Sequence, residues 1–152
     1  MTAILLVCLG NICRSPIAEG TLRHAAGQAG LGLVIDSAGC GGWHAGEPPD
    51  RRSVAVAERH GVFIHDQEAR QVTRADFGRF DLILGLDRDN VRHLERMRPD
   101  GARARVALFL KEALGVDKDV PDPYYGSAAD FETVYALCEK ASAALIKRLA
   151  TA

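Results

Sequence analysis

A cysteine and an arginine separated by five residues stand near the start of the chain, in Val7-Cys8-Leu9-Gly10-Asn11-Ile12-Cys13-Arg14-Ser15-Pro16. A thiol attacks only as its thiolate, a form favoured by inward-pointing backbone N–H groups, a helix N-terminus and a nearby cation. This stretch offers all three: a short loop able to turn its N–H groups inward, a helix opening at Ser15-Pro16, and the fixed charge of Arg14. Five residues suffice to wrap a loop around a tetrahedral dianion, and a guanidinium holds two phosphate oxygens in a fork. Leu9, Gly10, Asn11, Ile12, Cys13 and Ser15 are the expected phosphate-binding positions, with Cys8 as nucleophile and Arg14 as clamp. Gly10 relieves the turn, and Asn11 tolerates left-handed backbone or ties loop carbonyls together. Ser15 is expected to donate its hydroxyl to the Cys8 sulfur and to cap the helix. The rival phosphate loops GxxxxGK[ST] and GxGxxG are absent from this turn.

A phosphoenzyme on Cys8 needs a protonated leaving group, hence a general acid that later serves as base on water. Asp122 is the best candidate. Pro121 and Pro123 stiffen its loop, and Tyr124-Tyr125 could wall a flat aromatic substrate. Asp117 and Asp119 compete on position alone.

These groups need a frame. Ala3–Leu9 reads as a short, continuously apolar buried strand, and a helix follows to about Gln28 before Gly30 and Gly32. Leu33–Asp36 is a second strand, and residues 37–49 read as a loop rich in glycine and proline. Asp50 caps a helix to His60, stopped by Gly61, and Thr73 caps a turn of helix at 74–77. Residues 81–86 form a third strand, Asp87 starts a helix over 88–97, and 105–108 form a fourth strand. A long loop over 115–129 carries Asp122, and a last helix covers about 130–150. Alternating strands and helices predict an α/β fold: a single domain, 1–152, with an open twisted four-stranded parallel sheet, helices on both faces and the phosphate loop after the first strand. Sites in such sheets lie beyond the carboxyl ends of the strands, where Cys8 stands.

The chain has 152 residues, 47% hydrophobic and 26% charged, which fits one packed domain rather than a disordered chain. A formal net charge of −1 argues against general electrostatic binding to nucleic acid or an acidic membrane. The N-terminal apolar run is too short for a signal peptide and lacks a basic flank, and no stretch suits membrane insertion. A cytoplasmic protein is expected. Cys8, Cys13, Cys40 and Cys138 lack disulfide-framework or zinc spacing, so free thiols and no metal are expected.

With these residues in view, the chain resembles the low-molecular-weight protein tyrosine phosphatases from end to end. The likeness rests on residues 7–16, Asp36-Ser37-Ala38-Gly39, Gly42-Trp43 with 46–50, His60-Gly61, Ala69-Arg70-Gln71, Asp76-Phe77 with Phe80-Asp81, and residues 122–126 with Phe131-Glu132. It implies a cysteinyl-phosphate intermediate, no cofactor, and tyrosine-phosphorylated proteins as substrates, a tyrosine kinase among them. It implies Cys8 as nucleophile, Arg14 as clamp and Asp122 as acid and base, with Asn11, Ser15 and Ser37 holding the loop. It also implies a reversible Cys8–Cys13 disulfide under peroxide that guards Cys8, against the plainer reading of Cys13 as a small residue filling the back of the loop. Two alternatives stand. Thioredoxin-linked arsenate reductases look similar but carry a cysteine pair where residues 82–97 have none, and a phosphotyrosine-binding module would not need Cys8, Arg14 and Asp122 together. Arginine-phosphate phosphatases place a small Thr where Ile12 stands, and the bulk of Ile12 better suits a phenyl ring. The chain departs from the family pattern at Cys40, expected near the mouth of the site, and at Gly85.

Trp43, the one tryptophan, sits among glycines and reads as an aromatic lip on the substrate cleft beside Tyr124 and Tyr125. His60 reads as structural, Cys138 as core, and the arginines over 88–98 as a solvated helix face.

Overall fold

The computed structural model describes residues 1–152. Four strands, β1 (Ala3–Cys8), β2 (Val34–Gly39), β3 (Leu82–Gly85) and β4 (Arg105–Leu108), form one parallel sheet in the order β2-β1-β3-β4. The chain leaves β1 toward β2 on one side and later returns to β3 on the other. Its connections therefore diverge at the carboxyl end of β1, which opens a crevice there. Cys8 is the last residue of β1, in register with Gly39 of β2.

Six helices complete the fold: α1 (Arg14–Gln28), α2 (Arg51–Arg59), α3 (Asp76–Arg79), α4 (Arg88–Met97), α5 (Phe109–Leu114) and α6 (Ala128–Thr151). They cover both faces of the sheet, because β1 is buried at every position and needs apolar cover on each side. On one face Ile4, Leu6 and Cys8 pack with Ile17 and Leu22 of α1, Phe109 of α5 and Phe131 and Leu145 of α6. On the other, Leu5, Val7 and Ile83 share a cluster with Phe77 of α3, with Phe80 just after it and with Leu94 of α4. No helix is long and apolar enough to cross a membrane.

Several elements differ from the sequence expectation for physical reasons. Strand β2 runs through Ser37-Ala38-Gly39, not ending at Asp36, because the polar Ser37 is buried and hydrogen-bonded rather than solvated. Helix α5 was not expected. It is only six residues long, follows β4 without a linker and ends on Gly115 at φ 73°. Helix α3 runs over Asp76–Arg79 rather than 74–77, with Ala75 at its N-cap position and the Thr73 N–H held by the Asp76 carboxylate at 2.8 Å. The cap of α6 is Ser127, in a reciprocal box with Asp130. Gly85 has a packing cause: a Cβ there would lie 2.8 Å from Val91 Cγ2, so only glycine lets α4 sit this close to β3. Two arginines of the 88–98 stretch are not merely solvated. Arg88 pairs with Asp117 and Asp119, and Arg98 donates to the carbonyls of Ala102 and Ala104.

Candidate active site

Beyond Cys8 the chain turns through residues 9–13 and enters α1 at Arg14, two residues earlier than a Ser15 cap would place it. Cys13 occupies the N-cap position without a side-chain bond to the helix. The Ser15 hydroxyl is used elsewhere, 3.0 Å from Cys8 Sγ. The backbone N–H groups of residues 9–15 donate to no other group of the protein. A run of unpaired N–H groups continuous with a helix N-terminus is an anion-binding concavity. From behind, the loop is fastened by its carbonyls: Cys40 N–H donates to Cys8 O, Gly41 N–H to Leu9 O and Asp50 N–H to Ile12 O. Gly39 lies so close that a Cβ would sit 2.9 Å from the Gly10 carbonyl carbon.

Asn11 organises the interior. It is the one non-glycine residue with positive φ, at 60°. Its Oδ1 accepts the Arg70 N–H at 3.0 Å, which fixes the amide orientation. Its Nδ2 then donates both hydrogens, to Ser15 Oγ at 2.8 Å and Ser37 Oγ at 3.0 Å. Each serine has one hydroxyl proton left. Ser37 gives its proton to Glu19 at 2.6 Å, and Ser15 Oγ lies 3.0 Å from Cys8 Sγ, with the Ala38 carbonyl a longer acceptor at 3.5 Å. The Asn11 amide thus leaves the Ser15 proton available to Cys8 Sγ. Burial pushes the Glu19 carboxyl above its ordinary value, opposed by the bonds from Ser37 and Arg23.

Arg14 is 3% exposed. One terminal nitrogen is anchored to Asp87 at 2.6 Å and to the Val120 carbonyl at 3.0 Å. Its Nε makes no bond within the protein, and the second terminal nitrogen has only Asp122 at 3.7 Å. A fork is thus held from the rear and left free in front. Burial alone would lower the Arg14 pKa, but Cys8 and Asp87 reverse this and hold it above its ordinary value.

A cleft of about 270 Å³ opens over this loop. Cys8, Leu9, Gly10, Ile12, Cys13, Arg14, Trp43, His44, Asp122, Tyr124 and Tyr125 line it, so the candidate residues near Cys8 and the distant Trp43, Asp122, Tyr124 and Tyr125 share one cleft. Trp43 and Tyr125 are 69% and 98% exposed, forming a lip rather than core. Asn11, Ser15 and Ser37 lie buried behind it. Asp117 and Asp119 lie elsewhere, paired with Arg88, which leaves Asp122 as the carboxyl that lines the cleft. Cys40 is a correction: it is buried, receives a weak contact from Asn90 at 3.8 Å and does not line the mouth. Burial pushes the thiols of Cys13 to about 12, Cys40 to about 11 and Cys138 to about 12. His60 stacks on Tyr135 at 4.2 Å and bonds Glu132, a structural place. No His, Cys, Asp and Glu side chains converge as a metal-ligand set.

Sequence reasoning missed Asp87 as the anchor of Arg14, Glu19 as the end of the serine relay, and His44 at the cleft wall. Asp87 reads as a helix cap, and it is one: Oδ1 accepts from Asn90 N–H while Oδ2 holds Arg14. Only the order of the strands reveals the second use.

The family model described as low molecular weight phosphotyrosine protein phosphatase matches residues 3–152. A low molecular weight phosphotyrosine protein phosphatase of Schizosaccharomyces pombe is 44% identical over 137 residues, 87% of this chain and 86% of its own. A low molecular weight protein-tyrosine-phosphatase of Streptomyces coelicolor is 44% identical over 149 residues, covering 94% and 90%. Among solved structures, a protein tyrosine phosphatase from Entamoeba histolytica superimposes with a TM-score of 0.92 at 34% identity, over 98% of this chain and 97% of that one.

Proposed function

The chain belongs to the low molecular weight phosphotyrosine protein phosphatase family, and from that premise we propose that it dephosphorylates protein tyrosines through a cysteinyl phosphate on Cys8. That it is a protein tyrosine phosphatase follows from the family; the residue roles are our reading. The observation that carries them is the unpaired N–H run of residues 9–15 that follows Cys8 along the cleft, with the rear-anchored fork of Arg14 at its end.

In the first step the Cys8 thiolate, held by the Ser15 hydroxyl, attacks phosphorus. The P–O bond to tyrosine breaks, and the leaving phenolate takes a proton from the Asp122 carboxyl. Equatorial oxygens gain charge against the loop N–H groups and Arg14, donors that are already in place and need no reorganisation. In the second step Asp122, now a carboxylate, takes a proton from water. That water attacks phosphorus, the S–P bond breaks, and the thiolate returns to its hydrogen bond with Ser15. Ile12, Trp43, Tyr124 and Tyr125 give the cleft flat apolar walls suited to a phenyl ring. That lining, with no cysteine pair in 82–97, favours aryl phosphate hydrolysis over arsenate reduction or arginine dephosphorylation.

Tyrosine-phosphorylated proteins are the proposed partners, tyrosine kinases included, and a reducing compartment such as the cytoplasm suits the free thiols. Cys13 is the proposed resolving thiol: peroxide converts Cys8 to a sulfenic acid, and attack by Cys13 expels water to form the disulfide. Cys8→Ser should abolish phenyl phosphate hydrolysis while inorganic phosphate still binds. Asp122→Ala should turn over slowly and retain phosphoprotein from a lysate. Full activity of either variant would overturn the assignment.

A further inference from the structure

The segment 121–126, which carries Asp122, is attached to the rest of the protein by one hydrogen bond. The Tyr124 N–H to Asp122 Oδ1 bond (3.1 Å) and the Gly126 N–H to Pro123 O bond (2.8 Å) both close within the segment. The Tyr124 carbonyl alone reaches outside, accepting from Arg52 Nη1 at 2.9 Å. The Arg14–Asp122 ion pair adds only a looser tie at 3.7 Å.

All three guanidinium nitrogens of Arg52 are engaged. Its Nε and Nη2 each meet an oxygen of Asp50 at 3.0 Å. The guanidinium lies 4.6 Å from the centre of the Phe131 ring and 5.4 Å from that of Tyr124. Asp50 in turn donates its N–H to the Ile12 carbonyl of the phosphate loop at 2.8 Å. Two residues at the start of α2 thus join the loop that holds the phosphate to the loop that holds the carboxyl, and neither lines the cleft.

We propose that Arg52 is a positioning residue that sets the reach of Asp122 to the leaving-group oxygen. The inference rests on Asp122 being the general acid. Proton transfer requires a heavy-atom separation of roughly 2.6–3.2 Å. Pro123 is buried, and beside that packing the Arg52 bond is the one hydrogen bond that fixes the segment to the rest of the protein, two residues from the Asp122 carboxyl. Attack by Cys8 and phosphate binding use the other loop and do not depend on Arg52.

The test is the leaving-group dependence of kcat/KM, measured with phenyl phosphate and with an activated dinitrophenyl phosphate whose phenolate leaves unprotonated. Arg52→Ala should lower kcat/KM for phenyl phosphate roughly 10-fold, part of the ~100-fold or more that a placed general acid supplies. The activated ester should change little, and inhibition by inorganic phosphate should be unaltered. In an Asp122→Ala background, Arg52→Ala should cost nothing further for either ester. Arg52→Lys should recover part of the loss, since an ammonium reaches the carbonyl but cannot fork onto Asp50. Equal losses for both esters, or losses additive with Asp122→Ala, would overturn the proposal and assign Arg52 to general stability. An Asp122→Ala variant whose loss is the same for both esters would instead overturn the role of Asp122 itself.

Discussion

The serine relay makes a directional claim that an isosteric change can test. Asn11 Nδ2 donates to both Ser15 and Ser37, which leaves the Ser15 proton free for Cys8. Asn11→Asp keeps the shape and the acceptor for Arg70 N–H but turns the donor edge into an acceptor. Ser15 should then rotate its proton toward the new carboxylate and withdraw it from the sulfur. A hydrogen bond to a charged group contributes about 1.5–3 kcal/mol. At ~1.4 kcal/mol per decade, losing it should lower kcat/KM by roughly 10- to 150-fold. The buried carboxylate will also repel the phosphate, so the single variant is not decisive. The cycle is: Ser15→Ala should cost that factor in the wild type and almost nothing in Asn11→Asp, because the bond is already gone. Steady-state rates with phenyl phosphate on the four proteins suffice, with circular dichroism to verify folding. If the two substitutions multiply instead, Ser15 does not deliver its proton to Cys8 under the control of Asn11, and the relay is wrong.

Removing the Asp87 carboxylate strands the buried Arg14 charge, so Asp87→Ala should cost roughly 3–5 kcal/mol in urea unfolding; loss below about 1 kcal/mol would deny the anchor. Burial holds Cys13 at about 12, Cys40 at about 11 and Cys138 at about 12. Iodoacetamide at neutral pH should therefore modify Cys8 first, and inorganic phosphate should protect it; peptide mass mapping reads this directly. Hydrogen bonding from Arg105, aided by Arg148, holds the Glu112 carboxyl below its ordinary value. Its folded pKa is depressed, so its contribution is complete above the unfolded value near 4.3 and is lost as pH falls through the folded one. Glu112→Gln should flatten the acid limb of stability against pH below about 4.3, by no more than ~1 kcal/mol given the exposed arginines.

The parts legible in the sequence are those whose cause is local. A continuous apolar run ending in Cys8, a helix entered three residues after Asn11, and Asp122 between two prolines each announce themselves within a few positions. What the sequence hid depends on partners far along the chain. Ser37 looks like loop material until Asn11 and Glu19 close around it, and then burial makes it strand. Asp87 is a cap by its neighbours and an anchor by its strand, and one carboxylate serves both because its two oxygens point to different elements. Arg52 follows a helix cap and looks like one more surface cation, yet its three nitrogens all find fixed partners. These residues share a position, the second layer behind groups that meet substrate. The first layer is constrained by reaction chemistry, which dictates residue type and so leaves a readable pattern. The second is constrained only by the need to hold the first, which many residue types can satisfy. That is why Cys8, Arg14 and Asp122 stand out in the sequence as candidates, while Asp87 behind Arg14 and Arg52 beside the Asp122 segment emerge only from the fold.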